Sequence, residues 1–181
     1  LELERASIYD TERLHRLLHD AHKINNELGI HFTTGNVSKE RVRQHIESVP
    51  TYVYKDDKNE LICTASVELP WTSAGMFYLP NIGWLATNPK YKNKGFGRKI
   101  IKDVVEQYVK NILKAPAVTL DTANNHPWLK GFYISLGFSP LTKVRLVSDH
   151  ESIYMIKIID ESLLKKNSED IINEFLKKDI K

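Results

Sequence analysis

A single cysteine, Cys63, stands in 181 residues, which excludes a disulfide within the chain and any cysteine-rich metal centre. It lies in an apolar run, so an inert core thiol is expected. No apolar stretch approaches the roughly 20 residues that a membrane-spanning helix requires, and no charged-then-apolar leader opens the chain. These absences lead us to expect a soluble cytoplasmic protein. A surplus of either charge is also missing: 26 Lys and Arg against 23 Asp and Glu leave a formal net charge of +3, dispersed along the chain. Without a basic stripe, a helix-turn-helix or a base-stacking pattern, nucleic acid is not an expected partner. Repeats and low-complexity tracts are absent. The length and apolar content suit one hydrophobic core, and we expect one domain over residues 1–160 with a helical extension over 161–181.

The most informative stretch is NIGWLATNPKYKNKGFGRKIIKDVVEQYVK, residues 81–110. It opens with an apolar, strand-like run over 82–87, which Asn88-Pro89 stops, because proline cannot donate to a sheet ladder. A basic turn leads to Gly95-Phe96-Gly97, after which Ile100, Ile101, Val104, Val105, Tyr108 and Val109 recur at helical spacing. Strand, glycine loop and helix together make an anion site. The first N–H groups of a helix lack internal partners and its N-terminus is partially positive. Glycines let an anion approach the backbone, and Lys92, Lys94, Arg98 and Lys99 add charge. Two nucleotide motifs fail here. The P-loop needs a Gly-Lys-Ser/Thr ending that is missing, and the dinucleotide fingerprint needs a third glycine where Ile100 stands.

Elsewhere the pattern reads as alternating elements. A short strand over 1–5 precedes a helix with an apolar stripe at Leu14, Leu17, Leu18, Ala21 and Ile24, ending near Gly29. His15, His19 and His22 share that helix; no carboxylate or cysteine completes a metal site, so a polar helix face and no metal are expected. A second helix follows over about 36–47, then a hairpin of strands 52–55 and 61–69 about Asp56-Asp57-Lys58-Asn59. After the glycine-loop helix come a strand over 117–121, a helix over 128–136, and paired strands over 138–147 and 152–159 about Asp149-His150. The order β-α-α-β-β-β-α-β-α-β-β makes an α+β, α/β/α layered domain with about seven strands and four helices. Leu164, Ile171, Ile172, Phe175 and Leu176 suggest a final amphipathic helix from about Ser168, packed on the domain or joining two subunits as a homodimer.

Residues 85–97, Leu-Ala-Thr-Asn-Pro-Lys-Tyr-Lys-Asn-Lys-Gly-Phe-Gly, resemble the acyl-CoA loop of the GCN5-related N-acetyltransferases (GNAT), roughly L-x-V-x-P-x-[YF]-[RQ]-x-x-G-x-G/A. Thr87 replaces the usual Val and Lys92 the usual Arg or Gln. A second motif of the family, Y-x-x-x-G-F, matches Tyr133 to Phe138. The Asn that usually precedes it falls on His126, with Asn125 one residue early. The resemblance spans about residues 1–159.

It implies a GNAT fold and direct acyl transfer from acetyl-CoA to an amine. Leu85, Ala86 and Thr87 would offer backbone contacts to pantetheine and thioester. Lys92, Asn93, Lys94, Gly95, Phe96, Gly97 and Arg98 would cradle the pyrophosphate, and Asn125 would be a further cofactor contact. Tyr133 would protonate the leaving thiolate; the alternative is an aromatic that anchors its helix. An amine attacks only when unprotonated, so a base is needed, and N–H groups must face the developing oxyanion. The family's common Glu position holds Gly83. Glu68 on the preceding strand is the candidate base, against a solvent-facing carboxylate; His31, His126 and a water chain are the others. Trp71, Phe77, Tyr78, Trp84 and His31-Phe32 either line an acceptor pocket or pack the core. No acidic cluster near these positions marks a polyamine or aminoglycoside acceptor. The expected acceptor is a small-molecule primary amine. The alternatives are a peptide or protein amine and, given Gly83, a non-catalytic CoA-binding sensor.

Overall fold

The computed structural model describes residues 1–70, 78–144 and 151–165. The expected helix from Ser168, the turn at Asp149-His150, and Trp71 and Phe77 lie outside them. The elements are β1 (Glu4–Arg5), α1 (Thr11–Glu27), α2 (Lys39–Ser48), β2 (Thr51–Lys55), β3 (Leu61–Glu68), β4 (Asn81–Thr87), α3 (Phe96–Asp103), β5 (Ala117–Ala123), α4 (Leu129–Ile134), β6 (Ser139–Val144) and β7 (Ser152–Ile158). Among the described residues this is the order the sequence predicts. α3 runs on into a π-helical stretch, Val104–Lys110, and a 3-10 turn, Thr33–Asn36, links α1 to α2. α4 is shorter than expected at both ends. Trp128 has non-helical dihedrals, and Gly137 at φ 87° closes the helix, its N–H bonding to the Ile134 carbonyl while that of Phe138 bonds to Tyr133.

The strands form one mixed sheet in the order β1-β2-β3-β4-β5-β7-β6, and only β4 and β5 run parallel. Alternation along the strands separates two apolar layers. On one face Ile100, Ile101, Val104 and Val109 join Val67, Ile82, Leu120, Tyr133 and Phe138. On the other, Leu14, Leu17 and Leu18 of α1 and Val42 and Ile46 of α2 pack on Val53, Leu61 and Ala86. Cys63 is fully buried, and burial raises its thiol to about 12, so it stays protonated and unreactive.

Two irregularities set the site. β4 and β5 pair at Asn81–Thr119 and Ile82–Leu120, so among the described residues β4 runs on from Gly83 without a partner on that side. β4 also holds one residue more than β3 between the Ala86–Thr64 and Gly83–Ser66 pairs, a bulge in which Trp84 takes φ 50°. A tryptophan in the left-handed region is strained. Its indole is held by a stack on His45, with centroids 3.6 Å apart and planes within 7°. His45 Nε2 in turn lies 2.9 Å from Ser66 Oγ.

His45 and His22 are buried, and burial lowers each from 6.5 to about 4. Both are therefore uncharged in the fold yet take up protons near pH 6.5 once unfolded. Their contribution is undiminished above that pH and is lost as the pH falls from 6.5 towards 4. We expect the midpoint of thermal unfolding to drop across that window, and His45→Gln to flatten the drop. An unaltered slope in that variant would remove His45 from the account.

Candidate active site

The gap between β4 and β5 opens into a cleft of about 730 Å³. At one end lies the loop into α3. Asn88 Oδ1 accepts from the Lys90 N–H at 3.0 Å, and the Tyr91 N–H bonds to the Asn88 carbonyl at 2.8 Å, which folds residues Pro89–Tyr91 into a tight turn. Gly95 precedes α3 at φ 82°, a conformation that costs glycine little. Among the described residues, no acceptor takes the N–H groups of Gly95, Phe96, Gly97 and Arg98. A Cβ at Gly97 would stand 3.2 Å from Thr87 Oγ1, so the loop lies close on the end of β4. Lys92, Asn93, Gly95, Phe96, Gly97 and Arg98 all line the cleft, as do Leu85, Ala86 and Thr87. Lys94 does not; its ammonium sits 5.3 Å from the Tyr91 ring centre. This end carries orphan donors and positive charge, a set that fits the polyphosphate of a CoA thioester.

The middle of the cleft is acidic, which the sequence did not suggest. Glu68 ends β3 opposite Asn81, and Asp121 lies on β5. The Glu68 carboxyl oxygen is 3.9 Å from where a Cβ at Gly83 would be. Glu68 thus fills, from the neighbouring strand, the space that a side chain at 83 would occupy. Burial, then the charge of Asp121, raises its pKa, against a smaller opposing effect of Arg41. The same two carboxylates help burial to raise Tyr154 to about 12. Tyr133, on α4, is buried against this region and lines the cleft. Burial first and Asp121 second push its phenol well above the usual value. The acidic pair corrects the expectation that no such cluster is present. Strand register, not sequence proximity, brings the two together.

The remaining wall comes from α1, the 3-10 turn and α4: Ala21, His22, Asn25, Phe32, Thr34 and Trp128. His22 is buried here, where a polar helix face was expected. His19 Nε2 lies 3.1 Å from the Val37 carbonyl, and no group of three or more potential metal ligands occurs among the described residues. Asn125 is exposed and does not line the cleft. Its neighbour His126 is buried, with Nε2 3.1 Å from Asn25 Oδ1. Of the predicted aromatics, Phe32 and Trp84 line the cleft, whereas Tyr78 is exposed and does not. His31 is exposed and also outside the lining. Asp121, His22, Asn25 and Thr34 are the members that sequence reading missed, and only a histidine triplet on one helix hinted at any of them.

Residues 47–140 match the family model of the acetyltransferase (GNAT) domain. The chain belongs to the GNAT family. Its fold agrees: a ribosomal-protein-alanine N-acetyltransferase from Brucella melitensis superposes with a TM-score of 0.71 over 88% of this chain and all (100%) of that one, at 17% identity. The S-(2-succino)cysteine N-acetyltransferase of Bacillus subtilis (strain 168) is 31% identical over 155 residues, 85% of this chain and 93% of that protein. The S-alkylcysteine N-acetyltransferase of the same organism is 33% identical over 135 residues, 74% of this chain and 75% of that protein. This GNAT protein is accordingly an N-acetyltransferase, of a family whose acyl donor is acetyl-CoA. Among its described residues no helix is long and apolar enough to cross a membrane.

Proposed function

We propose that this acetyltransferase acetylates the α-amino group of a small S-substituted cysteine, with Glu68 as base and Tyr133 as acid. The observation that carries the reading is the meeting of Glu68, Asp121 and Tyr133 in one cleft beside the open edge of β4. Two curated relatives, each more than 30% identical, act on S-substituted cysteines, which supports the acceptor class. Acetyl-CoA, when bound, supplies an acetyl group activated as a thioester. The N–H groups of Gly95 to Arg98 and the charges of Lys92 and Arg98 would hold its phosphates, and the unpaired edge of β4 from Gly83 to Thr87 would bind its pantetheine arm.

The acidic pair attracts the acceptor as its ammonium. Attack needs the free amine, so one proton must leave first. Glu68, its pKa raised by burial and by Asp121, takes it directly or through a water. Asp121 keeps the site anionic while Glu68 is protonated. Tyr133, with its phenol held protonated by burial, gives its proton to the departing thiolate. The second proton, lost by the attacking nitrogen as the amide forms, returns to Tyr133 through water in the cleft, and Glu68 releases the first to solvent.

The reading is tested by mixing acetyl-CoA with S-methylcysteine, S-(2-succino)cysteine and a panel of other amines and following free thiol. Thiol release specific to S-substituted cysteines is expected. Release with other amines alone would overturn the acceptor class, and acetyl-CoA binding without any turnover would favour a non-catalytic sensor. Tyr133→Phe keeps the buried ring and removes the acid; kcat should fall roughly 100-fold at unchanged acetyl-CoA affinity. An unaltered kcat would assign Tyr133 to packing alone.

A further inference from the structure

A polar chain on the cleft wall takes no part in the transfer steps. His22 Nε2 lies 3.0 Å from Thr34 Oγ1, and His22 Nδ1 lies 2.9 Å from Asn25 Nδ2. Asn25 Oδ1 is 3.1 Å from His126 Nε2. The two histidines and Asn25 are buried, whereas Thr34 is half-buried. His22, Asn25 and Thr34 face the cleft. Gly35 permits this approach, since a Cβ there would come within 2.9 Å of His22 Cβ.

The chain has a direction. Burial keeps both histidines neutral, so each ring has one N–H and one lone pair. His126 Nε2 donates to Asn25 Oδ1, Asn25 Nδ2 donates to His22 Nδ1, and His22 Nε2 donates to Thr34 Oγ1. The opposite sense would put a hydrogen on His126 Nδ1, which is buried without a partner. A buried orphan N–H is rarer than a buried orphan acceptor. In the favoured sense the Thr34 oxygen is already an acceptor, and its own hydrogen is left to donate. An asparagine amide does not pass protons along, so the chain orients a donor and conducts nothing.

We propose that the Thr34 hydroxyl, oriented by His22, Asn25 and His126, donates a hydrogen bond to a carboxylate of the acceptor. This inference rests on the acceptor class proposed above. An amino acid is a zwitterion, and the two sides of the cleft differ in the required way. Glu68 and Asp121 suit the ammonium, while the wall of Ala21, His22, Asn25, Phe32, Thr33 and Thr34 contains no carboxylate. Thr34 is the specificity donor; His22, Asn25 and His126 are positioning residues.

The test compares S-methylcysteine with 2-(methylsulfanyl)ethylamine, the same amine without its carboxylate, and with S-(2-succino)cysteine. For Thr34→Val, kcat/KM on the amino acid should fall about 10- to 100-fold through KM, the scale of one hydrogen bond to a charged group. On the decarboxylated amine it should change less than about twofold, and Thr34→Ser should restore the preference. Gly35→Ala, which pushes the turn off His22, should lose the same selectivity. Loss on S-methylcysteine identifies the α-carboxylate; loss confined to S-(2-succino)cysteine identifies a side-chain carboxylate. Equal losses with and without a carboxylate, or no loss on either acid, would overturn the proposal. Failure of the unaltered enzyme on every S-substituted cysteine would instead refute the acceptor class, before any variant is made, and this inference with it.

Discussion

Gly97→Glu is expected to abolish acetyl-CoA binding in a calorimetric titration. Gly97 lies in the first turn of α3, where its N–H and those of Gly95, Phe96 and Arg98 have no acceptor among the described residues. A Cβ at 97 would already stand 3.2 Å from Thr87 Oγ1, so any side chain presses the loop away from β4 or turns into the cleft. A carboxylate there also sets a negative charge against a polyphosphate. One unit charge at contact distance is worth about 4 kcal/mol near a protein surface, or roughly a thousandfold in affinity. The fold should survive, because α3 is held through Ile100 and Ile101, which are buried away from the loop. Retained affinity in a folded Gly97→Glu protein would mean that this loop does not bind the donor.

Glu68→Gln is expected to lower kcat/KM by roughly 10²- to 10⁴-fold, the range for loss of a general base. Glutamine preserves the size of the side chain beside Gly83 but cannot accept the proton. The rate should therefore fall while acetyl-CoA binds as before. The pH profile gives the sharper reading. A base works when deprotonated, so activity in the unaltered enzyme should rise with pH through the pKa of Glu68. Burial and Asp121 raise that pKa, which moves the rise to higher pH than an ordinary glutamate would give. In Glu68→Gln that limb should vanish. A variant that keeps the limb with a modest rate loss would hand the base to another group, Asp121 first. With Glu68 as the base, Asp121→Asn should instead raise KM for the acceptor more than it lowers kcat, because its place beside Glu68 suits holding the ammonium.

The conformation of the glycine loop into α3 was readable in the sequence because its geometry is local. Asn88-Pro89 stops a strand, Gly95 takes a left-handed conformation, and the apolar spacing from Ile100 starts a helix, each within a few residues of its cause. The element order was readable for the same reason, since periods of two and of three to four record which face of each segment is buried. Composition excluded a disulfide within the chain and a membrane-length apolar run without reference to any contact.

The acidic middle of the cleft was readable only in part: the sequence offered Glu68 and Tyr133 but not Asp121. Glu68 and Asp121 meet because β4 separates from β5 after two paired residues, and Glu68 reaches Gly83 because β3 pairs with a bulged β4. Strand register and splay are set by the packing of whole helices on the sheet, and no window of neighbouring residues records them. The polar wall follows the same logic. His22, Asn25, Thr34 and His126 are brought together by the close approach of a turn and a loop to α1. Local spacing placed His126 where the family has an asparagine; only the folded chain pairs it with Asn25, 101 positions away. Backbone conformation within a few residues could be inferred from side-chain type, whereas the make-up of the cleft depends on distances between segments that only cooperative packing establishes.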